Sequence, residues 1–100
     1  MDSNYKQFEN MAELMKAVAH PLRICILNGL IDTPNITVSE MNTCLENVPQ
    51  STLSQHLSIL RRAGLIKAEH RGKYVEYELA NDKVARFIDT LLNEGLVKNE

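Results

Sequence analysis

The stretch PQSTLSQHLSILRRAGLI, Pro49 to Ile66, spaces its small polar residues so that a helix would gather them on one side. At about 100° per residue, Ser51, Ser54, Gln55, Ser58 and Arg62 fall within an arc of roughly 100°. Leu53, Leu57, Leu60 and Gly64 fall within a separate arc of roughly 60°. The leucine arc is a core face. The polar arc has hydroxyls, an amide and a guanidinium, and no carboxylate. Such a face suits a polyanion. Short side chains let the helix backbone approach base edges, Gln can pair with adenine, Ser can serve base or phosphate, and acids would be repelled. Free N–H groups at the helix N-terminus favour phosphate. Gln50, Ser51, Ser54 and Gln55 are the candidate readers of DNA; Ser58 and Arg62 extend the face, with Arg62 suited to a phosphate. An ordinary solvated face would more often use Glu and Lys, which form helices better than three serines do. His56 points nearer the leucines and reads as a packing or hydrogen-bonding histidine.

A second basic group lies in EHRGKYVEY, where Arg71 and Lys73 flank Gly72. A hairpin tip there would project two cations toward a neighbouring phosphate or the minor groove. A charged solvent-exposed turn is the plainer alternative. Net charge is −2, yet Arg61 to Lys73 holds five basic residues against Glu69, net +4, which leaves −6 for the rest. A local basic stripe can meet a polyanion despite an acidic whole, because nearby phosphates feel the patch more than distant charge.

Thiol chemistry is open to Cys25 and Cys44. The opening MDSNYKQFEN has no secretory pattern and no run is long enough for a membrane span, so a cytoplasmic location with reduced thiols is expected. Two buried free thiols are the preferred reading, since free Cys behaves as a small hydrophobe; a redox or effector pair is the alternative. Three scattered histidines and two separate cysteines form no recognisable metal set, and no cofactor is implied. There is no nucleophile–base pairing, phosphate loop or suggestive carboxylate pair, so an enzyme is not expected.

The elements that must position these residues follow from periodicity. With 100 residues and 44% hydrophobic content, the chain makes one domain over 1–100 with a limited core. Phe8, Met11, Met15 and Val18 mark a first helix from about Tyr5 to Ala19. HPLRICILNGLI opens a second helix with Pro21 in its first turn and apolar residues on several sides. DTPN breaks it. ITVSEMNTCLENV begins β-branched and turns helical, capped by Ser39 or by Thr37 with Glu40, with Met41, Cys44 and Leu45 facing inward. The fourth helix runs roughly Ser51 to Ala63, with Gly64 at its C-terminal cap. The period then alternates through LIKAEHRGKYVEYELA, a hairpin with RGK at its tip. NDKVARFIDTLLNEGLV is an amphipathic last helix capped by Asn81 or Asp82. Four helices, two strands and a helix describe a mainly α fold with a two-stranded β-wing, a winged helix-turn-helix. The first and last helices each keep an apolar stripe that a symmetry mate would bury, so a homodimer is expected, and a two-fold protein reads a two-fold site.

PQSTLSQHLSILRRAGLI, RGKYVEYEL and the upstream AVAHPLRICIL together resemble the ArsR/SmtB family of bacterial winged-helix repressors, over about Met11 to Leu92. HPLR at His20–Arg23 is similar to the family's second-helix start. The resemblance implies a homodimer through the first and last helices, bound to an imperfect palindromic double-stranded DNA operator until an inducer releases it. The family's metal sites are not matched. Thr37 and Ser39 stand where one site has its Cys pair, and Asn81, Lys83, Glu94 and Val97 lie near the positions of the last-helix site. Some relatives sense oxidants or reactive sulfur with a cysteine on the second helix and one on the last. Cys25 matches the former, but the last helix has none. The expected function is a transcriptional regulator, a homodimeric repressor whose effector is unidentified, with thiol-reactive compounds as a candidate. Control by a partner protein or by the regulator's own level are the other readings. A dimeric interaction module or anti-repressor of the same fold, not binding DNA, is the alternative class.

Overall fold

The computed structural model describes residues 3–33, 35–37, 40 and 45–98. Helix α1 (Ser3–Val18) presents Phe8, Met11 and Met15 to the outside and turns Leu14 and Val18 toward the core. It stops just ahead of His20, whose extended backbone starts α2 (Pro21–Asp32). His20 Nδ1 accepts the Leu22 N–H at 3.1 Å. Pro21 occupies the first turn, where its missing N–H leaves nothing unsatisfied. α2 buries Ile26, Leu27 and Leu30.

Ile36–Thr37 form strand β1. Glu40 Oε1 accepts the Thr37 N–H at 2.9 Å, the glutamate half of the expected capping box. Ser39, Met41 and Cys44, assigned from the sequence to a third helix, lie outside the described residues. The chain re-enters at Leu45, which is buried.

Helix α3 (Gln50–Arg62) is the polar-faced helix of the sequence, and it buries Leu53, Leu57 and Leu60. Its end is a Schellman motif. Gly64 takes φ +79°, its N–H bonds Arg61 O at 3.0 Å, and the Leu65 N–H bonds Leu60 O at 3.0 Å. Leu60 and Leu65 close the motif from the core side.

Strands β2 (Ile66–Arg71) and β3 (Tyr74–Leu79) pair antiparallel from Ile66↔Leu79 to Arg71↔Tyr74. The two-residue loop has Gly72 at φ +62° and Lys73 outside the positive-φ residues, the pattern of a type II′ turn. β1 adds to the other edge of β3 through Ile36↔Tyr77 and Thr37↔Glu76. The wing is therefore a three-stranded sheet in the order β1–β3–β2 rather than the expected two strands. Two β-branched residues ahead of the turn are enough to pair with the free edge of β3.

Helix α4 (Lys83–Asn93) closes the chain, and Asn81 Oδ1 receives the Lys83 N–H at 2.8 Å. The described helices number four where five are expected, because the third falls on the undescribed segment. One core joins α2, α3, β2 and α4 through Leu27, Leu30, Leu60, Ile66 and Ala85. No single described helix is long and apolar enough to cross a membrane.

Candidate nucleic-acid interface

α3 turns its two arcs as the spacing predicts. Leu53, Leu57 and Leu60 are 4% exposed or less, while Gln50, Ser51, Ser54, Gln55 and Arg62 are exposed and Ser58 is half-buried. Arg61 is exposed as well. The helix has no acid in its first turn and both arginines in its last. Pro49, the residue before the helix, offers no side-chain cap, and the first intrahelical bond at this end runs from the Leu53 N–H to Pro49 O. The N–H groups of Ser51 and Thr52 precede that bond and point out of the helix end, where an anion is favoured. Among the described residues no carboxylate pairs with Arg61, Arg62 or Lys73.

The wing is different. Arg71 Nη2 lies 2.8 Å from Glu69 Oε1 and its Nε 2.8 Å from Glu76 Oε1. Lys67 Nζ lies 3.0 Å from Glu78 Oε1. Glu69 and Glu76 face each other in register, and Arg71 relieves that like-charge pair. Lys67 and Arg71 are thus paired with Glu78, Glu69 and Glu76, so the net +4 counted along Arg61 to Lys73 does not survive folding as a basic wing. The β3 glutamates, outside that window, arrive by cross-strand pairing. Lys73 stands at the turn with its ammonium 5.8 Å from the Tyr74 ring centre. The free cations among the described residues of this face sit at the C-terminal end of α3 and at the wing tip.

His56 behaves as a contact residue rather than a reader. Its ring centre is 4.2 Å from that of His20, and Arg23 Nη1 lies 3.1 Å from its Nδ1. Burial, then the charges of His20 and Arg23, hold His56 below the usual histidine range. Arg23 has no assigned role in the linear sequence. The HPLR string is a signal for it, but only the fold shows what Arg23 touches.

Cys25 is disulfide-bonded, not the free buried thiol preferred from the sequence. Cys44, the other cysteine of the chain, lies outside the described residues. The packing gives a physical reason for the correction. Ile36 and Leu45, described residues on either side of Cys44 in the chain, line a small cavity together with Cys25, Gly29 and Leu30.

Helices α1, α2 and α4 frame an open apolar groove of about 1160 Å³ lined by Met11, Met15, Ile24, Phe87, Leu91 and Val97. Phe8 is 65% exposed and Phe87 60%. Both amphipathic helices leave their stripes uncovered there.

A family described as a helix-turn-helix domain matches residues 18–69. The transcriptional repressor PagR of Bacillus anthracis is 37% identical over 87 residues, covering 87% of this chain and 86% of PagR. The repressor SmtB of Mycobacterium tuberculosis is 40% identical over 84 residues, covering 83% of this chain and 61% of SmtB. Among solved structures, reduced HlyU from Vibrio cholerae superposes with a TM-score of 0.79 at 34% identity, covering 94% of this chain and 97% of HlyU. The chain belongs to the ArsR/SmtB family of winged-helix transcriptional regulators. As an ArsR/SmtB-family member it is a DNA-binding regulator and not an enzyme. The helix and wing that carried the family resemblance are α3 and the β2–β3 hairpin, and α3 through most of β2 lies inside the matched helix-turn-helix region.

Proposed function

We propose that this chain is a homodimeric repressor that reads a two-fold DNA operator through α3 and is released from it by a thiol-reactive effector. One observation carries the DNA-reading part: Gln50, Ser51, Ser54, Gln55 and Arg62 form an exposed face without a carboxylate. Gln55 and Ser54 read base edges, Ser51 and the helix N-terminus hold a phosphate, and Arg62 with the wing's Lys73 holds phosphates on either side. Ser58 extends the face, and Arg71 supports the wing rather than reaching out from it.

The uncovered groove supports the two-fold arrangement, with α1 and α4 packed on a second copy. Asn28 lines this groove and its Oδ1 is buried without a donor among the described residues, a deficit that a partner copy can fill. The disulfide at Cys25 supports redox control. Cys25 borders both this groove and the small cavity beside Leu45, so thiol chemistry there acts between the pairing face and the segment leading into α3. The regulator works in the cytoplasm, where its DNA is.

The test is fluorescence anisotropy on the chain's own upstream DNA, with a salt series, under reducing conditions and after a thiol oxidant or polysulfide. Binding that falls with salt and is released by oxidant in a reversible manner is expected. Salt-sensitive binding indifferent to oxidant would remove the effector assignment and leave the repressor. Salt-insensitive or absent binding would return α3 to a protein-interaction surface.

A further inference from the structure

The junction between α2 and the DNA-reading helix is built from three basic side chains. His20 caps α2 through Nδ1. His56, next to Gln55 on α3, lies against the His20 ring at 4.2 Å with the planes inclined by 41°. Arg23 Nη1 reaches His56 Nδ1 at 3.1 Å, and Arg23 Nε is buried without an acceptor among the described residues. No described carboxylate pairs with any of the three.

These contacts fix where the protons are. A guanidinium only donates, so His56 Nδ1 accepts and its ring proton sits on Nε2. A backbone N–H also only donates, so His20 Nδ1 accepts as well. Both imidazoles must then be neutral for the junction to exist. A proton arriving on His56 Nδ1 would face the Arg23 guanidinium directly. Of the elements packed against α3, which are α1, α2 and β2, only α2 and its cap bring titratable groups that act on His56; these are His20 and Arg23, both basic. Among the described residues nothing there compensates a second cation.

The sign follows from that arrangement. His56 is held below its ordinary value of 6.5 by burial first and then by its two basic neighbours. The contribution of the neutral ring is present in full above that value and is lost as the pH falls through the lower value of the folded state. His70 is exposed on the wing and takes no part in this junction.

We infer that Arg23 is a positioning residue for DNA reading, which sets the rotation of α3 through His56 Nδ1, and that acid releases this junction and with it the preference for the operator. The inference rests on the reading of α3 as the DNA-contacting helix. Arg23 touches no DNA in this scheme; it acts through His56 on the neighbouring Gln55 and Ser54.

The experiment compares operator and unrelated duplex by anisotropy at about pH 7.5 and about pH 4.5, the lower value set beneath the ordinary histidine range because His56 is held below it. Wild-type protein should lose about tenfold or more of its operator preference at the lower pH, the scale of losing a hydrogen bond to a charged group. Arg23→Ala should already lack that preference at the higher pH. His56→Asn, alone and with His20→Asn, is the conservative rescue, since Asn can offer Oδ1 as the acceptor and does not titrate. Its preference should stay level across the two values. A wild-type preference that does not change with pH, or a fall that persists in His56→Asn, would overturn the inference. Imidazole ¹⁵N NMR on the protein without DNA decides the junction separately: Nε2–H tautomers of His20 and His56 are expected, with His56 redistributing in Arg23→Ala. An Nδ1–H tautomer at His56 would sink the junction whatever the DNA result, whereas absent DNA binding with the expected tautomers would sink the DNA reading alone.

Discussion

Arg71 Nε stands 2.8 Å from Glu76 Oε1 on the neighbouring strand, and through this contact the most prominent cation of the wing is neutralised within the wing itself. Exposed ion pairs contribute about 0–1 kcal/mol each, so stability is not the main consequence. The consequence is electrostatic: with Glu69 also 2.8 Å away, Arg71 presents little net charge outward. Lys73, with no carboxylate partner among the described residues, is the wing's outward cation.

Lys73→Ala should therefore weaken binding to every duplex alike and lower the slope of log K against log salt by about 1, as expected when one phosphate fewer is neutralised. Arg71→Ala should change that slope less, because Glu69 and Glu76 lose their partner at the same time. Equal slope changes for the two variants, measured across a salt series, would show that Arg71 leaves its glutamates on DNA.

Ser54 and Gln55 are the test of base reading. Ser54→Ala with Gln55→Ala should remove operator preference, at about 1–3 kcal/mol for each base edge no longer read, while binding to unrelated DNA persists. Competition anisotropy reads both quantities. Neither side chain is in the core, so circular dichroism should show an unchanged fold. Unaltered preference would move recognition off α3.

The periodicity of α3 was legible because its leucines and its serines fall on separate arcs, and burial follows those arcs at Leu53, Leu57 and Leu60 on one side and at Ser51, Ser54, Gln55 and Arg62 on the other. Gly64 and Gly72 were legible for a different reason: each sits where the chain needs a left-handed backbone, and the flanking pattern changes period there. The charge of the wing was not legible from a window along the chain. Glu78 comes opposite Lys67, and Glu76 within reach of Arg71, only once the hairpin register is set, and a local count cannot see register. β1 escaped notice because two residues are too short to show alternation; their pairing depends on an edge of β3 that the fold supplies. Arg23 and His56 are 33 positions apart, so their contact is a property of how α2 meets α3. The disulfide at Cys25 belongs to the same class, since only the fold brings Ile36 and Leu45 to the cavity that Cys25 lines.

Gly64 makes a sharper test of local structure. A Cβ added there would meet nothing within 4 Å, so the cost of Gly64→Ala comes from the backbone alone, at φ +79°. A loss of about 1–2 kcal/mol is expected, the penalty for a left-handed L-residue. Gly64→Asn should lose less, because Asn tolerates this region better. Urea unfolding midpoints distinguish the three proteins. A Gly64→Ala protein as stable as wild type would mean that the Schellman end of α3 is not retained in solution.

The groove framed by α1, α2 and α4 gives the last test. Phe87 is 60% exposed on α4 and lines it, so the side chain contributes little to the folded single chain. On a second copy, the same ring would become buried, at roughly 1.5–3 kcal/mol for each protomer. Phe87→Glu also places a charge in this apolar groove, and two-fold symmetry does so on both copies at once. Sedimentation equilibrium at micromolar concentration should then show a dimer for wild type and a monomer for Phe87→Glu, with unfolding of the monomer still cooperative. Operator affinity should fall together with dimerisation, because one protomer reads only half of a two-fold site. A wild-type chain that sediments as a monomer would overturn the two-fold arrangement, and the groove would then be left for a different occupant.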